Sequence, residues 1–128
     1  MSGRVVHFEV PYDDHDRATA FYREIFGWDV SRWDDFEYDM VSTGPQGEQG
    51  PTEPGYIGGG MFRRDGELNA PVVTMGVDDI DATLAQVEAA GGSTVSGKEP
   101  VGEMGWSAYF RDCEGNLMGL WQSASPEG

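Results

Sequence analysis

When the 128-residue chain is displaced against itself by 65 positions, residues 5–30 fall on residues 70–95 and the punctuation of the two segments coincides. Asp13, Asp14 and Asp16 meet Asp78, Asp79 and Asp81; Ala20 meets Ala85, Gly27 meets Gly92 and Val30 meets Val95. Six identities in 26 positions are modest as a score. Their weight lies in where they fall, with acidic residues where a helix would start and a glycine where it would stop. Such an internal period dictates the architecture of everything around it. The length fits one domain, here built of two similar halves, 1–65 and 66–128.

Each half reads strand, helix, then three strands. Val6, Phe8 and Val10 alternate on one face of the opening strand. Asp13 or Asp14 can cap a helix whose stripe is Ala18, Phe21, Tyr22, Ile25 and Phe26, and Gly27 can end it. In the second half Val73, Met75 and Val77 alternate, and Val73 and Met75 are expected to pack under the helix while Val72 and Thr74 face the cleft. There Asp78 or Asp79 caps, Ile80, Leu84 and Val87 form the stripe, and Gly91-Gly92 stop it. Residues 28–30 and 94–95 begin second strands. Two further strands are expected in each half, at 36–41 and 56–62, and at 106–111 and 117–122. Asp112-Cys113-Glu114-Gly115-Asn116 is a hairpin turn. The Gly- and Pro-rich loop 42–55 is expected to border a site, and 123–128 to be a frayed tail.

These motifs resemble the glyoxalase/bleomycin-resistance/dioxygenase (vicinal oxygen chelate) superfamily. His7-Phe8-Glu9-Val10, Asp14, Phe21-Tyr22 and Phe26-Gly27-Trp28 look like its opening strand and helix. Asp112-x-Glu114-Gly115-Asn116 looks like its closing turn, with Cys113 where proline is usual. The resemblance implies an α+β fold: two tandem βαβββ modules forming a cupped, open barrel-like mixed sheet with helices outside. It also implies a homodimer and a cleft for a small-molecule ligand. It does not imply a reaction, because the superfamily holds isomerases, lyases, dioxygenases, epimerases and sequestering proteins.

Metal-dependent relatives place a His or Glu ligand on the first and last strands of each half. His7 fills the first of these positions, and its repeat mate is Val72. The closing position, seven residues after Asp112, is Gly119. Strand 56–62 contains no His, Asp or Glu, and Glu53 and Glu67 lie outside it. One position of four is filled, so no cofactor and no inherited metal site are expected. His7 and Glu9 lie two apart and face the same side of their strand. They are candidates for an acid–base pair, or for a hydrogen-bonded polar pair in a half-buried cleft. His15 is expected at the helix start, facing solvent.

Alternation also proposes a lining. Tyr38 and Met40, Tyr56 with Gly58 and Gly60, Thr74, Trp106, and Leu117 with Trp121 are the candidate ligand-binding residues. The glycines are expected to leave space for the ligand. The lining is mostly aromatic and apolar and suits a flat or hydrophobic molecule. The net charge of −15 argues against nucleic acid and anionic membranes. With 38% apolar residues and no run near the ~20 needed to span a bilayer, a folded domain is expected, not a membrane protein. No signal-peptide pattern opens the chain, so a cytoplasmic protein is expected. Cys113 is the only cysteine and reads as a turn residue. Three functions stay open. One is a protein that binds a small apolar or aromatic molecule without the usual metal. Another is an isomerase, lyase or dioxygenase, either metal-dependent or using His7 and Glu9. The third is an assembly domain with a vestigial cleft.

Overall fold

The computed structural model describes residues 3–33, 37–47 and 50–124. The chain forms two compact units. The first is His7–Pro71; the second runs from Val72 onward and includes the residues up to Val6. Those opening residues are tied to the second unit by backbone bonds from Gly3 N–H to the Gly76 carbonyl and from Gly76 N–H to the Arg4 carbonyl.

The elements of the first set are β1 (Val5–Tyr12), α1 (His15–Phe26), β2 (Asp29–Trp33), β3 (Tyr38–Ser42), β4 (Gln46–Gly47), β5 (Gly50–Pro51) and β6 (Gly59–Arg63). The second set is β7 (Val72–Gly76), α2 (Ile80–Ala89), β8 (Ser93–Val101), β9 (Gly105–Arg111) and β10 (Leu117–Ser123). The expected start of β3 at Phe36 lies outside the described residues. Strand order is β2-β3-β6-β1 in the first set and β8-β9-β10-β7 in the second, which is the same order position for position. In each the first and last strands pair in parallel and the remaining pairs are antiparallel. This is the α+β, twice-repeated βαβββ plan.

Local chemistry explains the elements. Asp14 caps α1 by accepting from the Arg17 N–H, and Asp79, 65 residues on, caps α2 by accepting from the Ala82 N–H. Each cap is worth ~1 kcal/mol. Gly27 ends α1 with φ of 70°, a left-handed conformation that glycine adopts without strain. The β9–β10 turn is closed by Asp112, whose carboxylate accepts from the Glu114 and Asn116 N–H groups and from the Asn116 amide. Those bonds hold the Asp112 carboxyl below its usual range. Cys113 sits exposed in that turn.

Each unit has its own core between helix and sheet. In the first, Tyr12, Val30, Val41 and Met61 are packed by Phe8, Val10, Ala18, Tyr22 and Trp28. In the second, Ile80, Leu84, Ala108, Phe110 and Leu120 are packed by Met75, Val77, Val87, Trp106 and Met118.

Four expectations need correction. The α1 stripe is narrower than the spacing suggests: Ala18, Thr19 and Tyr22 face the sheet, while Phe21, Ile25 and Phe26 are 54%, 61% and 60% exposed. Tyr22 stacks on Trp28 at 4.5 Å, and those two rings cover the ground that the outer three would need. Val73 does not pack under α2; it is exposed, and Met118 joins that core instead. Loop 42–55 carries the small hairpin β4–β5. Ser123 and Ala124 are not frayed, since Ser123 ends β10 and the Ala124 N–H bonds the Met104 carbonyl, and the rest of the expected tail, 125–128, lies outside the described residues. Among the described residues no helix is long and apolar enough to cross a membrane.

Candidate functional site

Register decides which side chains share a face. In the first unit Val10 pairs with Met61 and Asp39 with Met61, so these look toward α1. Glu9 pairs with Gly60 and Met40 with Gly60, so His7, Glu9, Tyr38, Met40, Gly60 and Phe62 share the opposite, helix-free face. The expected placement of His7, Glu9, Tyr38 and Met40 on one face is what the structure shows.

Three of those residues form a chain. The Tyr38 hydroxyl donates to Glu9 Oε2 at 2.7 Å, and His7 Nε2 stands 2.7 Å from the same hydroxyl oxygen. Glu9 is buried and its link through Tyr38 to His7 satisfies part of its need for donors. A tyrosine hydroxyl has a single hydrogen, and here Glu9 receives it. His7 Nε2 therefore carries a proton and donates to Tyr38. Burial pushes the His7 imidazole down to about 4, so the ring is neutral near pH 7 and Nδ1 is a bare lone pair. The rings of His7 and Tyr38 lie 6.3 Å apart at 17°, and Tyr38 also stacks on Phe62 at 6.4 Å.

The glycine run makes this possible, in a way opposite to expectation. A Cβ at Gly60 would fall 1.9 Å from the Tyr38 hydroxyl, and one at Gly59 would fall 2.6 Å from the Phe8 ring. Gly59 makes room for Phe8 on the helix side, and Gly60 makes room for Tyr38 on the other. The space is occupied by the protein's own side chains. Tyr56 lies before β6, not on it. Its hydroxyl donates to the Pro45 carbonyl and its ring covers Gly44, so it fastens loop 42–55.

In the second unit Leu117, Gly119 and Trp121 face away from α2 together with Val72 and Thr74, as expected. Trp106 does not. It shares the parity of Ala108 and Phe110, packs into the α2 core, and carries Lys98 Nζ 4.6 Å from its ring centre. Tyr109, opposite Gly119, holds the helix-free face where Trp106 was expected. Only the register reveals that exchange.

A second polar group lies on the α1 side and was not legible from the sequence. Asp39, fully buried, accepts from His15 Nε2 at 3.0 Å and lies 3.4 Å from the Tyr12 hydroxyl and 3.5 Å from Arg32 Nη1. His15 is partly exposed, and it also links the start of α1 to β3. Its bonds to Asp16 and then Asp39 raise its proton affinity above the ordinary imidazole value.

The positions where the resemblance places metal ligands do not fit a metal. His7 Nε2 is committed to Tyr38, which leaves Nδ1 as a single nitrogen donor. Val72 has no donor. β6 holds no His, Asp or Glu, and its residue matching Gly119 is Gly60. At Gly119 even a Cβ would fall 2.6 Å from Thr74 Oγ1, so a carboxylate has no room there without displacing Thr74. Among the described residues no three His, Cys, Asp or Glu side chains gather as a metal would require.

Comparison with known proteins fits this geometry. The family described as bleomycin resistance protein-like N-terminal matches residues 4–44. A probable lactoylglutathione lyase of Vibrio parahaemolyticus is 29% identical over 127 residues, covering 95% of this chain and 92% of that protein. Over its first third the chain is thus similar to the bleomycin resistance protein-like family, and over nearly its whole length to a lyase. Solved structures share the fold. A variant of Streptomyces coelicolor methylmalonyl-CoA epimerase in complex with 2-nitronate-propionyl-CoA covers 100% of this chain and 99% of its own at 18% identity, with a TM-score of 0.67. Methylmalonyl-CoA epimerase from Mycobacterium tuberculosis covers 96% and 89% at 16% identity, with a TM-score of 0.61. At such identities the likeness concerns the fold and not the reaction.

Proposed function

We propose that this chain is a small-molecule-binding member of the superfamily that does without the usual divalent metal. It takes an apolar or aromatic molecule on the helix-free face around His7, Glu9 and Tyr38. The observation that carries this reading is that, among the described residues, no three His, Cys, Asp or Glu side chains gather, so His7 has no partners with which to hold a metal. Met40, 40% exposed, and the Tyr38 and Phe62 rings supply apolar surface beside it. Thr74, Leu117 and Trp121 are proposed as ligand contacts of the second unit. Elemental analysis and titration of one preparation test this. No stoichiometric metal and a saturable tryptophan fluorescence change with aromatic compounds are expected. Stoichiometric zinc, nickel, manganese or iron that disappears in His7→Ala overturns it. A homodimer is proposed as the working form, to be checked by sedimentation.

An enzymatic reading is favoured by one feature, the continuous path of two short hydrogen bonds from Glu9 through Tyr38 to His7. The lyase and epimerase names of its relatives point the same way. Glu9 would take a proton from an acidic C–H, with His7 as its neutral partner through Tyr38. Exchange of substrate C–H for deuterium, with methylmalonyl-CoA as the probe, should vanish in Glu9→Gln. Exchange at an unchanged rate in both Glu9→Gln and His7→Ala sinks it.

A further inference from the structure

We infer that the Thr74 hydroxyl is a hydrogen-bonding anchor for the ligand, so that the second unit takes an apolar molecule carrying a neutral carbonyl or hydroxyl oxygen. The anchor rests on the small-molecule reading of the helix-free face and names the polar group that its ligand must present.

Of the four buried polar side chains among the described residues, three are bonded within the chain. Glu9 accepts from Tyr38, Thr19 donates to the Asp16 carbonyl, and Asp39 accepts from His15. Thr74 is 6% exposed, and its hydroxyl has no hydrogen-bond partner among those residues. No side-chain nitrogen or oxygen that is sealed from solvent lacks a partner among them, so Oγ1 itself is reachable. A hydroxyl so placed gives up much of its hydration on folding and gains no bond in return until a ligand meets it.

Its surroundings suit that task. Gly119 pairs with Thr74 on one side and with Tyr109 on the other. Thr74 Oγ1 leans over Gly119, 2.6 Å from where a Cβ would stand, and a Val72 methyl lies 3.5 Å from the same point. A side chain at 119 would push the hydroxyl aside, so the glycine keeps it presented. Trp121 lies over Gly105 on the β9 side of β10, whereas Thr74 stands on the β7 side. The indole therefore walls the place without capping it. Tyr109 and Arg111 share this face, and each already holds an interaction of its own. Thr74 is thus an unmet polar point on a surface of Val72, Leu117 and Trp121. An oxygen on the ligand satisfies it, and a hydrocarbon leaves it bare.

Two probes of one outline separate oxygen from bulk: acetophenone (a ketone) and α-methylstyrene (a methylene in place of the oxygen). Thr74→Val removes the hydroxyl with little change of shape. It should weaken acetophenone about three- to tenfold and leave α-methylstyrene within about twofold. The carbonyl stretch of bound acetophenone should lie at lower frequency in the unaltered protein than in Thr74→Val, and Thr74→Ser should keep the low frequency. Gly119→Ala should act on both probes as Thr74→Val does. Because the hydroxyl has no partner to lose, Thr74→Val should unfold at a urea midpoint no lower than that of the unaltered protein. Equal weakening of both probes, weakening of neither, an unchanged carbonyl stretch, or a lowered midpoint in Thr74→Val overturns the anchor. Failure of both probes to bind the unaltered protein overturns the reading beneath it, and the anchor falls with that reading.

Discussion

His15 and Ile80 open the two helices at matching positions, and under them stand Asp39 in one unit and Ala108 in the other. On the helix-free face the first unit carries His7, Glu9 and Tyr38 where the second carries Val72, Thr74 and Ser107. Gly60 and Gly119 match as well, one covered by Tyr38 and the other by Thr74. The backbone plan is constant while the adhesive differs. In the second unit the matching place on the helix side is apolar, with Ile80 and Ala108 in one core, and the helix-free face carries the hydroxyls of Thr74, Ser107 and Tyr109 in place of charged groups. The first places ionisable groups at the same sites and must bond each of them, because an unpaired polar group in the interior is expensive. Divergence between equivalent positions of a duplicated fold thus separates what the scaffold requires from what was added to one copy.

The sharpest way to break this comparison is at Asp39. Asp39→Ala leaves His15 and Tyr12 without their buried acceptor and should cost about 3–5 kcal/mol in urea unfolding. The double variant His15→Ile with Asp39→Ala copies the second unit and should recover more than half of that loss. A double variant no more stable than Asp39→Ala would show that the two cores are not interchangeable.

Acid is the next test. The unfolded His7 takes up its proton near the ordinary value of 6.5, and the folded one only near 4. The folded state therefore loses stability as pH falls through that window, by about 3 kcal/mol. His15 acts in the opposite sense: its proton affinity is raised in the fold, so its contribution is full below 6.5 and fades as pH climbs through its raised value. His7→Gln should flatten the acid limb of the urea-midpoint profile. An unchanged limb would move the effect to another group.

The smallest contrast lies within the sheet. Tyr38→Phe breaks two hydrogen bonds and should cost about 1–3 kcal/mol, whereas Ser107→Ala at the matching place should stay within about 0.5 kcal/mol. Equal costs would deny the asymmetry.

The 65-residue offset carried much of the fold, because caps, stop glycines and alternation are local signals. Asp14 with Asp79, and Gly27, sit where the spacing places them. Alternation also put His7 and Glu9 opposite Phe8 and Val10. What local signals cannot report is which side chain crosses to which neighbour. Tyr38 reaches His7 and Glu9 only because β3 lies beside β6 and Gly60 has no side chain. His15 meets Asp39 across 24 residues, with nothing in either segment to announce it. Trp106 had the right chemistry for a ligand wall, but a strand that starts at Gly105 turns it toward α2.

The bare outer side of α1 has a colloidal consequence. Phe21, Ile25 and Phe26 form a greasy strip on a particle of net charge −15. In dilute buffer the charge keeps particles apart over a screening distance of ~30 Å at 0.01 M salt, falling to ~8 Å at 0.15 M. Added salt shortens that reach to roughly the thickness of a helix, and the strip then governs how two particles meet. Ionic strength is thus the natural control on clarity and shelf life of concentrated samples.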